Sequence, residues 1–287
     1  MFIAGYSKED IQKKWSELTL DSYNLILATA VTRNYSSLPF YFREKIIKFL
    51  TPPEVKLLRI EFDYKLLSQI ETKSLNKDNG GKTVHGIMCS ELQNIIPSKS
   101  LCLLVDIDAY PLNQEAIMIS FIAAKENGAF GNIQGYGDHL FIGPSFICFD
   151  NEKIKNKVGG EAWIINERSD VGGEITWNMP EVLEQDLFRP IKTIFRPIWK
   201  LSDFEKPSIG IGTTFGYKNH PMTYHHFYSR IRISHFHFFL ISFFSYIKIK
   251  FKHFRKITLL ELFKNLNFFL KHETKYGIKY LRNKLYQ

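Results

Sequence analysis

The sequence predicts an α/β fold: a mixed sheet flanked by helices and continued at its C-terminus by a basic helical extension. Leu101 to Val105 is an unbroken apolar run of the kind found in strands covered on both faces. Before it comes a strand, helix, strand succession, the opening unit of a parallel sheet. After it a helical pattern begins near Gln114, so the run ends at the edge where open α/β sheets bind ligands.

Taken in order, Ser7-Lys8-Glu9-Asp10 supplies an N-cap hydroxyl and first-turn acids to a short helix carrying Ile11, Trp15 and Leu18 inward. Asn24 to Val31 reads as a strand. Leu38 to Leu50 reads as a helix, with Pro39 in its first turn and Phe42, Ile46, Ile47 and Phe49 at roughly helical spacing. Val55 to Phe62, after Pro52-Pro53, is a second strand. A polar glycine turn at Lys77 to Lys82 precedes a helix over Val84 to Ile96 that has to accommodate Gly86. Pro97 and Ser98 lead into the apolar strand ending at Asp106. Asn113 then caps a helix over Gln114 to Lys125 with Ile117, Phe121 and Ala124 on one face.

With 287 residues, 45% hydrophobic and 23% charged, the chain has the composition of a folded protein with a substantial core, not of a disordered one. Cys89, Cys102 and Cys148 sit in or beside apolar runs without close pairing, which reads as free buried thiols in a reducing compartment. The start, MFIAGYSKEDIQKKW, lacks the basic and apolar regions of a signal peptide, so a cytoplasmic location is expected. The net charge of +9 is unevenly spread: residues 230–287 hold thirteen Lys or Arg against Glu261 and Glu273, leaving 25 basic and 27 acidic residues before them. A near-neutral body, 1–229, is thereby set apart from a cationic extension, 230–287.

The run Leu101 to Val105 passes straight into Asp106-Ile107-Asp108-Ala109-Tyr110-Pro111. Carboxylates two positions apart on an extended segment share one face, and a turn imposed by Pro111 lets both reach one cation or its waters. Hard divalent ions such as Mg2+ or Mn2+ take such oxygen ligands and bridge to nucleotide diphosphates. The plain alternative is a strand-end turn and a helix cap. VDIDAYPLNQEAI, AAKENGAFGNIQGYGDHLFIGPSFICFD, RSDVGGEITW and GIGTTFGYKNHPMTYHHFYSR together resemble nucleotide-sugar glycosyltransferases of the GT-A type, over roughly Leu25 to Arg230.

That resemblance implies a GT-A-like, Rossmann-type mixed sheet, a nucleotide-sugar donor, a glycan or lipid-linked acceptor, and Mn2+ or Mg2+ held by Asp106 and Asp108, Asp108 more directly. It also implies a late histidine ligand from Tyr224-His225-His226, with His225 favoured; packing histidines are the competing reading. Thr29, Thr32 and Arg33 stand where a nucleobase pocket is expected. Asn132, Gln134, Asp138 and His139 are candidate donor or acceptor contacts, or turn formers. Asp170 and Glu174 flank a glycine pair and are candidates for the base that takes the acceptor's proton in an inverting reaction. A non-catalytic protein of the same fold, binding carbohydrate or a membrane surface, is the rival reading.

Two phosphate-loop lookalikes fail. Gly80-Gly81-Lys82-Thr83 has Asn76 where the earlier P-loop glycine belongs, and Gly210 to Gly216 has one residue too many for a dinucleotide fingerprint. The latter reads instead as a strand and loop delivering Tyr224 and His225. In the extension, Ile233 to Ile247 is Phe-rich but too short and polar to span a bilayer, Ile247 to Lys252 alternates like an edge strand, and Thr258 and Glu261 form a capping box. Mixed with aliphatic and Phe residues, these cations suit an anionic membrane surface and peripheral attachment rather than nucleic acid. Packing on the body or in a homo-oligomer is the alternative.

Overall fold

A computed structural model of the chain describes residues 3–32, 40–63, 65–67, 83–136, 139–165, 170–194, 197–199, 209–227 and 232–253. Helix α1 (Lys8–Leu20) is capped by the Ser7 and Asp10 capping box and buries Ile11, Trp15 and Leu18, as its spacing predicts. Strand β1 (Asn24–Thr32), helix α2 (Tyr41–Leu50) and strand β2 (Lys56–Phe62) form the expected unit, with β1 and β2 parallel. The expected opening of α2 at Leu38 and Pro39 lies outside the described residues, as do the glycine turn at 77–82 and the capping box at Thr258 and Glu261.

Helix α3 (Val84–Ile95) is capped by Thr83. Its Gly86 marks a close approach: a Cβ there would stand 2.2 Å from the main-chain oxygen of Trp163. Strand β3 (Ser100–Val105) is buried at every position. It lies parallel to β1 on one side and antiparallel on the other to β6 (His139–Asp150), which also pairs with β5 (Ala129–Tyr136). The main sheet thus runs β2-β1-β3-β6-β5 and is mixed.

Between β3 and β5 come a short strand β4 (Ala109–Pro111) and helix α4 (Gln114–Asn127). Sequence spacing assigns α4 one apolar face, but every residue from Ala116 to Ala124 is buried. The helix is enclosed because α1 covers the side turned away from the sheet, with Trp15 against Phe121 at 6.1 Å. Helices α5 (Asn151–Lys157) and α6 (Gly173–Asn178) follow.

Strands β7 (Arg189–Thr193), β8 (Pro197–Trp199), β9 (Ile209–Gly210), β10 (Thr213–Tyr217) and β11 (His220–His225) complete the strand inventory of the described residues. They build a second, antiparallel sheet in the order β4-β11-β10-β7 and a small β8-β9 pair. Pro111 belongs to β4, an edge strand, where a missing N–H costs little.

Helix α7 (Arg232–His253) begins within the cationic extension and packs against α2. Phe42 meets Phe239, Phe243 and Tyr246 at 5.2, 4.9 and 5.7 Å, and Phe238, Phe239, Phe243, Tyr246 and Ile249 belong to the same core as the sheet. Helix α7 runs through the strand-like alternation at Ile247 to Lys252, in keeping with the expected helical extension, because Phe239, Phe243, Tyr246 and Ile249 share a helical face buried in the core. Among the described residues no helix is long and apolar enough to cross a membrane. All three cysteines are free and buried.

Neighbouring Phe243 and Phe244 separate packing from mere composition, since the first is buried and the second is 63% exposed. Phe243→Ala should destabilise the protein by about 3–5 kcal/mol in chemical denaturation, and Phe244→Ala by about 0.5 kcal/mol or less. Equal losses would mean that α7 does not dock on α2.

Candidate metal centre

The centre is assembled by strand register. As β3 ends, Asp106 N–H donates to the Ser145 carbonyl on β6 at 3.0 Å, and Ala109 N–H donates back to the Asp106 carbonyl at 3.0 Å, closing a turn. Sequence reasoning assigns that reversal to Pro111, which instead lies within β4, beyond the turn. The chain then pairs with β11, Tyr110 opposite Tyr224 and Ala109 opposite His225, and His226 N–H donates to the Asp108 carbonyl at 2.9 Å. This register brings His225 Nε2 to 3.2 Å from Asp108 Oδ1. Asp106, Asp108 and His225 each present a ligand atom within 4.8 Å of the others.

Adjacent residues on a strand face opposite sides, and that decides between the two histidines. His225 turns toward Asp108, with the Phe227 ring tilted against its own, the centroids 3.8 Å apart. His226 turns into the core, where its Nδ1 meets the Tyr224 hydroxyl at 2.7 Å and its ring lies 5.4 Å from Phe238 of α7. Burial first, then Tyr110 and Asp108, push the Tyr224 hydroxyl far above its usual pKa, so it is a neutral phenol.

Two neighbours of the carboxylates have no counterpart in the sequence expectations. His85, near the start of α3, places Nε2 3.1 Å from Asp106 Oδ1. Burial opposes its charge, but the Asp106 carboxylate and Cys89 more than offset this and hold the imidazole well above its ordinary pKa. Arg43 of α2 is only 3% exposed and lies behind the turn. Its Nε donates to the Ala109 carbonyl at 3.0 Å, and its Nη2 reaches Thr29 Oγ1 and the Val105 and Asp106 carbonyls, each at 2.9 Å. Burial lowers the guanidinium to about 10, against the favourable fields of Glu44, Asp106 and Asp108. The signal in the sequence was a charge sharing a helical stripe with Ile47 and Leu50.

The other expected contacts divide. Thr29 is buried and its hydroxyl accepts from Arg43, which places it beneath the turn and not on an open base pocket. Arg33, Asp138 and the side chain of Thr32 lie outside the described residues. Asn132 is fully buried: its Oδ1 accepts from Thr223 of β11 at 2.7 Å and its Nδ2 approaches Ser145 Oγ at 3.4 Å, so it ties the two sheets together and presents no surface to a substrate. Gln134, also buried, approaches the same Ser145 hydroxyl. His139 is exposed and edge-on to Trp177 at 5.3 Å. Glu174 lies one turn before Trp177 on α6, and its carboxylate accepts from Asn178 at 3.3 Å. Asp170 is exposed and accepts from its neighbour Val171 N–H at 2.8 Å. Neither acid belongs to the Asp106, Asp108 and His225 group.

The donor set fits a divalent ion. An octahedral ion with bonds of ~2.1 Å sets adjacent donors ~3 Å apart, close to the Asp108 to His225 separation of 3.2 Å. His225 Nδ1 is buried without a hydrogen-bond partner among the described residues, so the ring's orientation rests on Asp108 and Phe227. Two carboxylates with one imidazole suit Mn2+ better than Mg2+, which prefers oxygen throughout. No protein-family model, curated protein or solved structure matches the chain.

Asp108→Asn keeps the shape of the turn and removes a ligand charge. It should weaken Mn2+ binding, followed by electron paramagnetic resonance, by more than the about 10–100-fold typical of outer-shell changes. His226→Gln should change Mn2+ affinity less than either Asp108→Asn or His225→Gln. The reverse order would place the ion elsewhere.

Proposed function

We propose that this chain is a metal-dependent glycosyltransferase that moves a sugar from a nucleotide-diphosphate donor to a glycan or lipid-linked acceptor. The observation that carries the reading is the convergence of Asp106, Asp108 and His225 beyond the carboxyl end of β3, the central strand of a mixed α/β sheet. Support comes from the position, since ligands of open α/β sheets bind outside the carboxyl ends of parallel strands, and from the resemblance of the surrounding segments to GT-A enzymes.

A bound Mn2+ would supply positive charge to the leaving diphosphate. The protein's own tasks are then defined. Asp106, Asp108 and His225 would hold the ion; the acceptor hydroxyl attacks the anomeric carbon as the bond from that carbon to the diphosphate oxygen breaks. In an inverting reaction Asp170 or Glu174 takes the hydroxyl proton, and the nucleoside diphosphate departs. The cationic segment 230–287 supports an acceptor presented at an anionic membrane surface, with the enzyme attached peripherally.

The test is a panel of UDP, GDP and CDP sugars with Mn2+, read by thermal unfolding and by acceptor-free hydrolysis. A cognate donor at 100 times its Kd adds about 2.7 kcal/mol of apparent stability, and hydrolysis should vanish on chelation and in Asp108→Asn. Metal-dependent binding without turnover would instead indicate a non-catalytic binding protein, and neither binding nor turnover with any donor would refute the proposal.

A further inference from the structure

Arg43 is a cation placed where α2 turns its apolar face to the sheet, beside Ile47 and Leu50. Its hydrogen-bond acceptors are a hydroxyl and three main-chain carbonyls, none of them a carboxylate. Those carbonyls belong to Val105 and Ala109, which flank the carboxylate pair, and to Asp106 within it. They meet at one guanidinium only because the chain reverses there. The Asp106 carbonyl accepts twice, from Ala109 N–H and from Arg43 Nη2, which suits its two lone pairs. Nη2 has two hydrogens for three acceptors, so one is shared.

We infer that Arg43 is the positioning residue of this centre: its planar fork presets the turn from Val105 to Ala109, so that Asp106 and Asp108 already stand in ligating positions before a cation arrives. The use of that turn as a metal site rests on the function proposed above; the setting of the turn by Arg43 does not.

Geometry requires a fork. Nε and Nη2 are separate donor atoms fixed in one rigid plane, with N–H bonds spread over its side and its end, and together they reach Ala109 on the far side of the turn and Val105 and Asp106 on the near side. A lysine ammonium has its donors on a single atom and cannot span both sides in the same way. Charge adds to this. Two carboxylates drawn toward one point repel each other, and a buried cation behind them offsets that repulsion while they in turn offset its burial. Thr29, within β1, completes the cradle by anchoring Nη2, which ties the turn to the parallel strands as well as to α2.

The test uses the full chain and Arg43→Lys, which keeps the charge and loses the fork. Amide hydrogen exchange at Ala109 and His226, whose N–H groups donate to the Asp106 and Asp108 carbonyls, should accelerate at least about tenfold relative to Leu103 within β3. Mn2+ affinity of the folded variant should fall by about 10–100-fold, the usual range for residues that orient ligands. A purely structural role would lower the unfolding midpoint and leave both the relative exchange and the Mn2+ affinity of the folded protein unchanged, and that result overturns the inference. Should Arg43→Lys not fold, Thr29→Val removes one anchor and leaves the cation; faster exchange at Ala109 upholds the inference and unchanged exchange overturns it. Absence of Mn2+ binding by the wild-type protein would sink the metal reading, while the exchange comparison still decides whether Arg43 sets the turn.

Discussion

The pairing of β4 with β11 is the constraint on which the centre depends. β4 is three residues long and could not persist alone, yet its register with β11 is what sets His225 opposite Ala109 and beside Asp108. A slip of one residue would turn His225 into the core and His226 toward the carboxylates, since side-chain direction alternates along a strand. Several contacts oppose such a slip. Leu112 N–H donates to the Met222 carbonyl beyond one end of the pairing, and His226 N–H donates to Asp108 beyond the other. Tyr110 and Tyr224 lie 5.1 Å apart across the pair.

Behind this short pairing stands a layer of aromatic rings supplied from distant parts of the chain. Phe238 of α7 touches Tyr110, His226 and Phe40, and the Tyr110 hydroxyl meets Ser245 Oγ at 3.0 Å. The helix that opens the cationic extension is thus part of the support under the strands carrying Asp108 and His225. Its burial against α2 links the site's geometry to the stability of the core, so damage to α7 reaches the centre through packing, without any direct contact with an ion.

On the other side, polar groups join the two sheets. Asn132 of β5 is held by Thr223 of β11 and approaches Ser145 of β6, while the Ser145 carbonyl accepts from Asp106 N–H. Buried polar networks of this kind are specific because each member left unpaired costs the full desolvation of a polar group. The carboxylate turn is consequently fixed from three directions: Arg43 below, the Ser145 carbonyl from the neighbouring strand, and β11 in front.

Much of this was legible in the chain itself. The apolar run at Leu101 to Val105, the capping residues Ser7 and Asn113, and the carboxylates at a strand end follow from periodicity and local hydrogen bonding, which act over a few residues. The sequence also singled out His225, but only by resemblance, because neither its neighbour's identity nor its own reveals which one a strand will turn outward. Tertiary structure alone decided that the turn closes through Asp106 and Ala109 and not at Pro111, that Asn132 bridges two sheets, that Ile247 to Lys252 is helical against α2, and that Arg43 lies beneath the carboxylates. Each of these depends on a partner far away in the chain, and the energy that selects it appears only when that partner is packed in place.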